Sequence, residues 1–215
     1  MQIIKQKKKE QVMIRIAVLA SGRGSNLQAI IDAIQSGQIN GKVEIVISDN
    51  PDAYALERAK KYQIDTLVAY FKQFKNKQEY EQKILEHLEK YNIDLIVLAG
   101  YMRLLSSRFI KKYRYCIINI HPALLPAFPG LHAQRQALEY GVKVSGCTVH
   151  FVDEGMDTGP IILQKAVEVK QSDNEEILSD RILKYEHQLL PKAIQLFAEN
   201  KIQIRNNKTT YLKEY

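Results

Sequence analysis

Asn119 and His121 stand two residues apart at the end of the apolar run Cys116–Ile120, directly before Pro122-Ala123-Leu124-Leu125-Pro126. In an extended strand, residues i and i+2 share a face, so the amide and the imidazole point at one spot. A positioned amide N–H stabilises an oxyanion, and an imidazole moves protons near neutral pH. The two prolines fix their own φ and restrict the residue before each, which ends the strand and stiffens its exit. The plain alternative is a buried amide and a histidine ahead of an ordinary loop.

Two further segments carry chemistry. Ala20-Ser21-Gly22-Arg23-Gly24-Ser25-Asn26 joins a strand-like run to a helix-period segment. Backbone N–H groups at a helix start cradle anions, and glycines let the chain approach them closely. The dinucleotide fingerprint needs a third glycine where Leu27 stands, and a Walker loop needs a Lys-Ser/Thr ending. One compact phosphate suits the turn better; a purely structural turn is the alternative. Downstream, Asp153, Glu154 and Asp157 share a loop with Gly155 and Gly159. Such a stretch is commonly only a turn. A carboxylate from it that reached His121 would favour the imidazolium and raise its pKa. The loop lacks EF-hand spacing. His87, His132, His150 and His187 form no His-x-x-x-His or His-x-Glu arrangement, so no metal is expected. His150, within a strand, reads either as a hydrogen-bonded core residue or as a partner behind the site.

These residues need a scaffold, and the hydrophobic pattern supplies one. Strands are expected at Ile14–Ala20, Val43–Ser48, Ile64–Val68 and Leu95–Ala99, alternating with helices at Ser25–Gln35, Ala53–Tyr62 (with Asp52 as N-cap) and Lys77–Tyr91. This βαβα rhythm implies a parallel sheet with helices on both faces. After Cys116–His121 comes a Pro/Gly-rich loop, then a helix at Leu131–Tyr140. Val144–Val152 and Pro160–Val169 are joined by so short a connection that they read as an antiparallel pair. Asn174–Glu199 is a long helix that Pro191 should kink or divide. A short strand pair is expected around Ile202–Ile204 and Tyr211-Leu212. The glycine turn, Ala99–Leu105 and Asn119–His121 all follow parallel-type strands. An open α/β sheet binds ligands at that carboxyl rim.

Composition bounds the rest. The 215 residues favour one domain that buries its core without staples. Cys116 and Cys147 read as reduced core thiols in a reducing, cytoplasmic setting. The net charge of +7 is concentrated in residues 1–15, where Lys5, Lys7, Lys8, Lys9 and Arg15 face Glu10 alone. A solvated basic arm, and not a nucleic-acid face, is the expectation. A secretory signal is disfavoured because Arg15 interrupts the apolar stretch and cleavage near Ala20 would remove the first strand. No run approaches the 18 apolar residues of a membrane span.

Taken in order, Ser21-Gly22-Arg23-Gly24-Ser25-Asn26, then Asn119-Ile120-His121-Pro122-Ala123-Leu124-Leu125-Pro126, then Asp157-Thr158-Gly159-Pro160 resemble the phosphoribosylglycinamide formyltransferases, a branch of the formyl-folate transferases. The resemblance spans about Ile14 to Glu199 and includes Ala99-Gly100-Tyr101-Met102-Arg103-Leu104-Leu105 and Val149-His150-Phe151-Val152. It implies an α/β, Rossmann-like three-layer fold: a mostly parallel central sheet with an antiparallel C-terminal portion and helices on both faces. Residues 1–13 would be a basic arm, 14–200 the formyltransferase domain and 201–215 a polar extension. Asn119, His121 and Asp157 would be catalytic. Gly24, Ser25, Asn26, Leu183, Lys184, Tyr185 and Glu186 would seat the ribotide. Lys77, Met102, Arg103, Leu104, Leu105 and Asn119, with the loop Asp153, Glu154, Gly155, Met156 and Asp157, would line the folate site. A cis bond is expected at Leu125-Pro126. Ala123 departs from a common Ser, Ala127 from an occasional Lys, and Lys77 from an occasional Arg, whose planar fork it lacks.

The implied co-substrate is 10-formyltetrahydrofolate, with 5'-phosphoribosylglycinamide as acceptor and no metal. Neither nucleic acid nor membrane would be a partner, and the protein would act as a monomer or homodimer. Asn119 and a protonated His121 would hold the oxyanion, and Asp157 would keep the charge on His121 and relay the proton. A formyltetrahydrofolate hydrolase or a methionyl-tRNA formyltransferase is the nearest rival; each usually carries a further domain and is not expected to keep the Ser-Gly-x-Gly-Ser-Asn turn. A silent folate- or nucleotide-binding module is the alternative of another class.

Overall fold

The computed structural model of the chain describes residues 13–211. The basic arm therefore lies outside the described residues, save Met13. Its strands and helices are β1 Ile14–Leu19, α1 Ser25–Gln35, β2 Gly41–Ser48, α2 Tyr54–Lys61, β3 Asp65–Val68, α3 Lys77–Lys90, β4 Leu95–Leu98, α4 Ser107–Lys112, β5 Ile117–His121, α5 Ala133–Tyr140, β6 Val144–Phe151, β7 Ile161–Glu168, α6 Glu175–Ala198, β8 Ile202–Arg205 and β9 Lys208–Tyr211. Seven strands form one sheet in the order β3-β2-β1-β4-β5-β6-β7. The first five are parallel, and β6 and β7 are antiparallel, as the sequence led us to expect.

Strand alternation builds two cores. Ile16 and Val18 of β1 pack with α1, α2 and α6 on one face. Ala17 and Leu19 pack with Tyr80, Ile84 and Leu88 of α3 and with Phe109 and Ile110 of α4 on the other. On β5 the same alternation places Ile118 and Ile120 in the first core and Ile117 in the second. Asn119 and His121 continue the face of Ile117. The polar pair thus extends an apolar strand face.

Several local expectations are corrected. Asp52 is not the N-cap of α2: Ala53 holds that position without a side-chain cap, and the Ala55 N–H donates to the Gly22 carbonyl at 3.0 Å. A loop carbonyl does the work of a capping side chain there. Pro191 does not divide α6, which runs through it as one helix with Leu190, Pro191, Ala193 and Ile194 buried. Burial of that stripe outweighs the backbone bond that proline removes. Helix α4 was not foreseen; six residues with only Phe109 and Ile110 buried give too short a period to read. The C-terminal ribbon β8–β9 forms with Tyr211 in β9, and the expected Leu212 lies outside the described residues. The ribbon docks on the sheet edge, where Thr209 Oγ1 donates to the Ile161 carbonyl at 2.5 Å.

Candidate active site

Strand β5 presents Asn119 and His121 side by side, and β6 places His150 directly opposite Asn119. The loop after β6 folds over this face and delivers Asp157. Asp157 Oδ2 is 3.5 Å from His121 Nδ1, and Oδ1 is 3.5 Å from Asn119 Nδ2 and 3.6 Å from His150 Nε2. The Gly130 N–H donates to Asp157 Oδ2 at 2.8 Å. Asp157 itself has a left-handed backbone, φ 55. Leu125–Pro126 is cis, as expected.

Proton positions follow from the acceptors. His121 Nε2 lies 2.8 Å from the Phe128 carbonyl, so that nitrogen carries hydrogen. His150 Nδ1 lies 2.9 Å from the Phe151 carbonyl and is likewise a donor. In the neutral His150 ring, Nε2 is then an acceptor, and Asn119 Nδ2 donates to it at 3.1 Å.

The charges differ from expectation in one respect. Burial holds His121 below an ordinary imidazole; Asp157 and the Phe128 carbonyl pull it up but do not prevail. Asp157 was expected to win this contest, yet the ring is 4 % exposed and desolvation is the larger effect. Burial pushes the Asp157 carboxyl up, but the His150 ring in its protonated form, the Gly130 N–H and His121 hold it below the usual carboxylate range.

At the other end of the rim, Gly24 caps α1 in the left-handed region, φ 68. A Cβ there would lie 2.7 Å from Ala55 Cα, so glycine is needed for contact as well as conformation. The first turn of α1 holds no acidic residue, which leaves Ser25 and its neighbours electropositive. Asn26 Nδ2 donates to Glu186 Oε2 at 2.8 Å, while Asn26 Oδ1 is buried without a partner among the described residues. Burial raises the Glu186 pKa, against the lowering influence of Asn26.

The formyl transferase family matches residues 14–194. The chain belongs to that family. It is 46% identical over 183 residues to a phosphoribosylglycinamide formyltransferase of Bacillus subtilis, covering 85% of this chain and 94% of that protein. It is 48% identical over 193 residues to the trifunctional purine biosynthetic protein adenosine-3 of Drosophila melanogaster, covering 89% of this chain. The match spans only 14% of that relative's length. Among solved structures, glycinamide ribonucleotide transformylase 1 from Symbiobacterium toebii superposes with TM-score 0.93 at 49% identity, covering 97% of this chain and 99% of that one.

The residues singled out in this formyl transferase differ in exposure. Glu186 is buried on the apolar stripe of α6, Leu183 and Tyr185 are half-buried, and Lys184 is exposed. The Lys165 ammonium lies 5.3 Å from the Tyr185 ring centroid. Lys77 sits 3.9 Å from Glu81, which also receives the Ser106 N–H at 2.7 Å. Met102, Leu104 and Met156 expose their apolar side chains. The Arg103 side chain turns inward to Asp49 at 2.7 Å, and Leu105 packs against the second core. In the acidic loop, Asp153 Oδ1 accepts from Gly155 N–H and Thr158 Oγ1, which ties the turn together, while Glu154 is exposed. Gly130, the Phe128 carbonyl and Asp49 escaped the sequence reading, which left His150 open between a core residue and a partner behind the site. Only the registers and loop closures that bring them in could reveal them. Among the described residues, no group of three or more His, Cys, Asp or Glu is placed to hold a metal ion.

Proposed function

We propose that this formyl transferase moves the formyl group of 10-formyltetrahydrofolate to the amine of 5'-phosphoribosylglycinamide, a step of purine synthesis in the cytoplasm. The observation that carries the reading is the convergence of Asn119, His121 and Asp157 at one end of a rim whose other end is the anion-friendly turn Gly24-Ser25-Asn26. The likeness to phosphoribosylglycinamide formyltransferases over nearly their full length supports it.

In this reading, Ser25 and the N–H groups opening α1 hold the phosphate. Asn26 Oδ1, buried and unpartnered among the described residues, and Glu186 take donors from the ribotide. Exposed Met102, Leu104 and Met156 offer the apolar contacts that a flat heterocycle needs. The folate site as a whole is drawn from Met102–Leu105, the Asp153–Asp157 loop and Lys77.

The ribotide amine attacks the formyl carbon, and a carbon–nitrogen bond forms as the carbonyl oxygen gains charge. Asn119 Nδ2 donates to that oxygen. His121 Nε2–H, held at rest by the Phe128 carbonyl, redirects its hydrogen bond to that oxygen because an oxyanion is the stronger acceptor. The developing charge raises the His121 pKa from its buried resting value, and Asp157 beside Nδ1 favours the imidazolium. The amine proton passes through the Asp157–His121 pair to the departing folate nitrogen as the old carbon–nitrogen bond breaks. Each oxyanion donor of this kind is worth about 10²–10³ in rate.

The test follows tetrahydrofolate release from 10-formyltetrahydrofolate with and without the ribotide. Release only with the ribotide is expected. Release without an acceptor would instead mark a hydrolase, and none in either mixture a binding module.

A further inference from the structure

Asp49, just past the carboxyl end of β2, has no place in the chemistry above, yet its side chain is only 10 % exposed. Its Oδ1 accepts the Ser21 hydroxyl at 2.5 Å, and its Oδ2 accepts Arg103 Nε–H at 2.7 Å. The Ser21 oxygen in turn accepts the Met102 N–H at 3.0 Å. The Ser21 N–H donates to the Gly100 carbonyl at 3.1 Å. Arg103 is gripped from its other side: its central guanidinium carbon lies 4.3 Å from the Phe71 ring centroid and 5.8 Å from that of Tyr80.

Three loops therefore meet on one carboxylate. They follow β2, β1 and β4, which are neighbours in the sheet. The junction of β1 and β4 is also where the order of strand addition reverses, the crevice where such sheets bind ligands. Ser21 opens the turn assigned to the ribotide phosphate, and Met102 and Arg103 open the segment assigned to the folate. A hydroxyl has one proton to give. While Ser21 gives it to Asp49, its lone pair holds the Met102 N–H. A displacement of the turn toward an anion thus shifts the acceptor of Met102 and the carboxylate that holds Arg103 together.

We propose that Asp49 is a positioning residue that couples the two substrate sites, so that ribotide in the glycine turn improves folate binding at Met102–Leu105, and the reverse. The proposal rests on the two-substrate reading above. Coupling of this kind is reciprocal, and ordinary values are about 5–150-fold.

The test is calorimetric titration of the full chain with 5'-phosphoribosylglycinamide, alone and with saturating tetrahydrofolate, which lacks the formyl group and allows no turnover. The wild-type chain is expected to bind the ribotide about fivefold or more tightly when folate is present. In Asp49→Ala the ratio should fall to one, with both ligands still bound measurably. Should Asp49→Ala not fold, Ser21→Ala deletes only the shared hydroxyl and is expected to give the same collapse. A wild-type ratio of one overturns the proposal, as does a ratio preserved in the variant while both affinities fall alike. Failure of the underlying function shows separately, as absence of tetrahydrofolate release by the wild-type chain given both substrates.

Discussion

Asn119 and His150 face each other across the antiparallel β5–β6 pair, with Asn119 Nδ2 3.1 Å from His150 Nε2. Since His150 Nδ1 donates to the Phe151 carbonyl, the neutral ring must accept at Nε2. Asn119 therefore turns its NH2, not its carbonyl, toward this side. A strand pairing fixes which end of the Asn119 amide is presented.

Replacing His150 by Leu should leave that amide free to flip. A loss of about 10–100-fold in kcat is expected, below the full cost of losing an oxyanion donor. Both KM values should stay within about twofold, because neither substrate is proposed to touch His150. Steady-state kinetics check this, and a change confined to KM would contradict the assignment.

Asp157→Asn should lower turnover by about 10²–10⁴, the range of positioned proton transfer. It should also lower the His121 pKa further, since Asp157 is the chief influence raising it against burial. His121 in the folded chain lies below its unfolded value. The stability it contributes is thus present above about pH 6.5 and is lost as pH falls through the folded value. NMR titration of the ring in both proteins measures the shift; identical curves would remove Asp157 as its charge partner.

Gly24→Ala forces a left-handed φ of 68 on a residue whose Cβ would lie 2.7 Å from Ala55 Cα. The loss should exceed the ~1 kcal/mol scale of compatible glycine substitutions. For a chain of this size that means a fall in Tm of more than about 2–4 °C. Ribotide affinity should fall more than folate affinity, which isothermal titration of each ligand would show.

Glu186 has a folded pKa above its unfolded one, so its ionisation opposes folding. Its favourable share is fully present below about pH 4.3 and is lost as pH rises through the folded value. Glu186→Gln keeps an oxygen for Asn26 and should stabilise the fold at pH 8 but not at pH 4. Urea unfolding at the two pH values tests the sign. Ribotide binding should weaken in the same variant, a cost to function that accompanies the gain in stability.

Glu186 entered the sequence reading only through the family resemblance, and its burial on the apolar stripe of α6 is a finding of the structure. Leu178, Ile182, Glu186, Leu190 and Ile194 recur every four residues, and one carboxylate among them belongs inside. Helix α4 and the true cap of α2 were not visible. The first is too short for its period to register, and the second is a carbonyl from another loop. Pro191 misled because propensity is a local quantity, whereas the packed face of α6 is not.

By itself the sequence determined the strand and helix rhythm, the shared face of Asn119 and His121, the glycine turn at the start of α1 and the acidic loop. Each rests on near neighbours in the chain, where side-chain period and backbone restriction act directly. Only the tertiary structure decided that His150 orients Asn119, that burial outweighs Asp157 at His121, and that Asp49 joins three loops. Register, desolvation and loop closure depend on groups far apart in the chain, and no local pattern encodes which of them will meet.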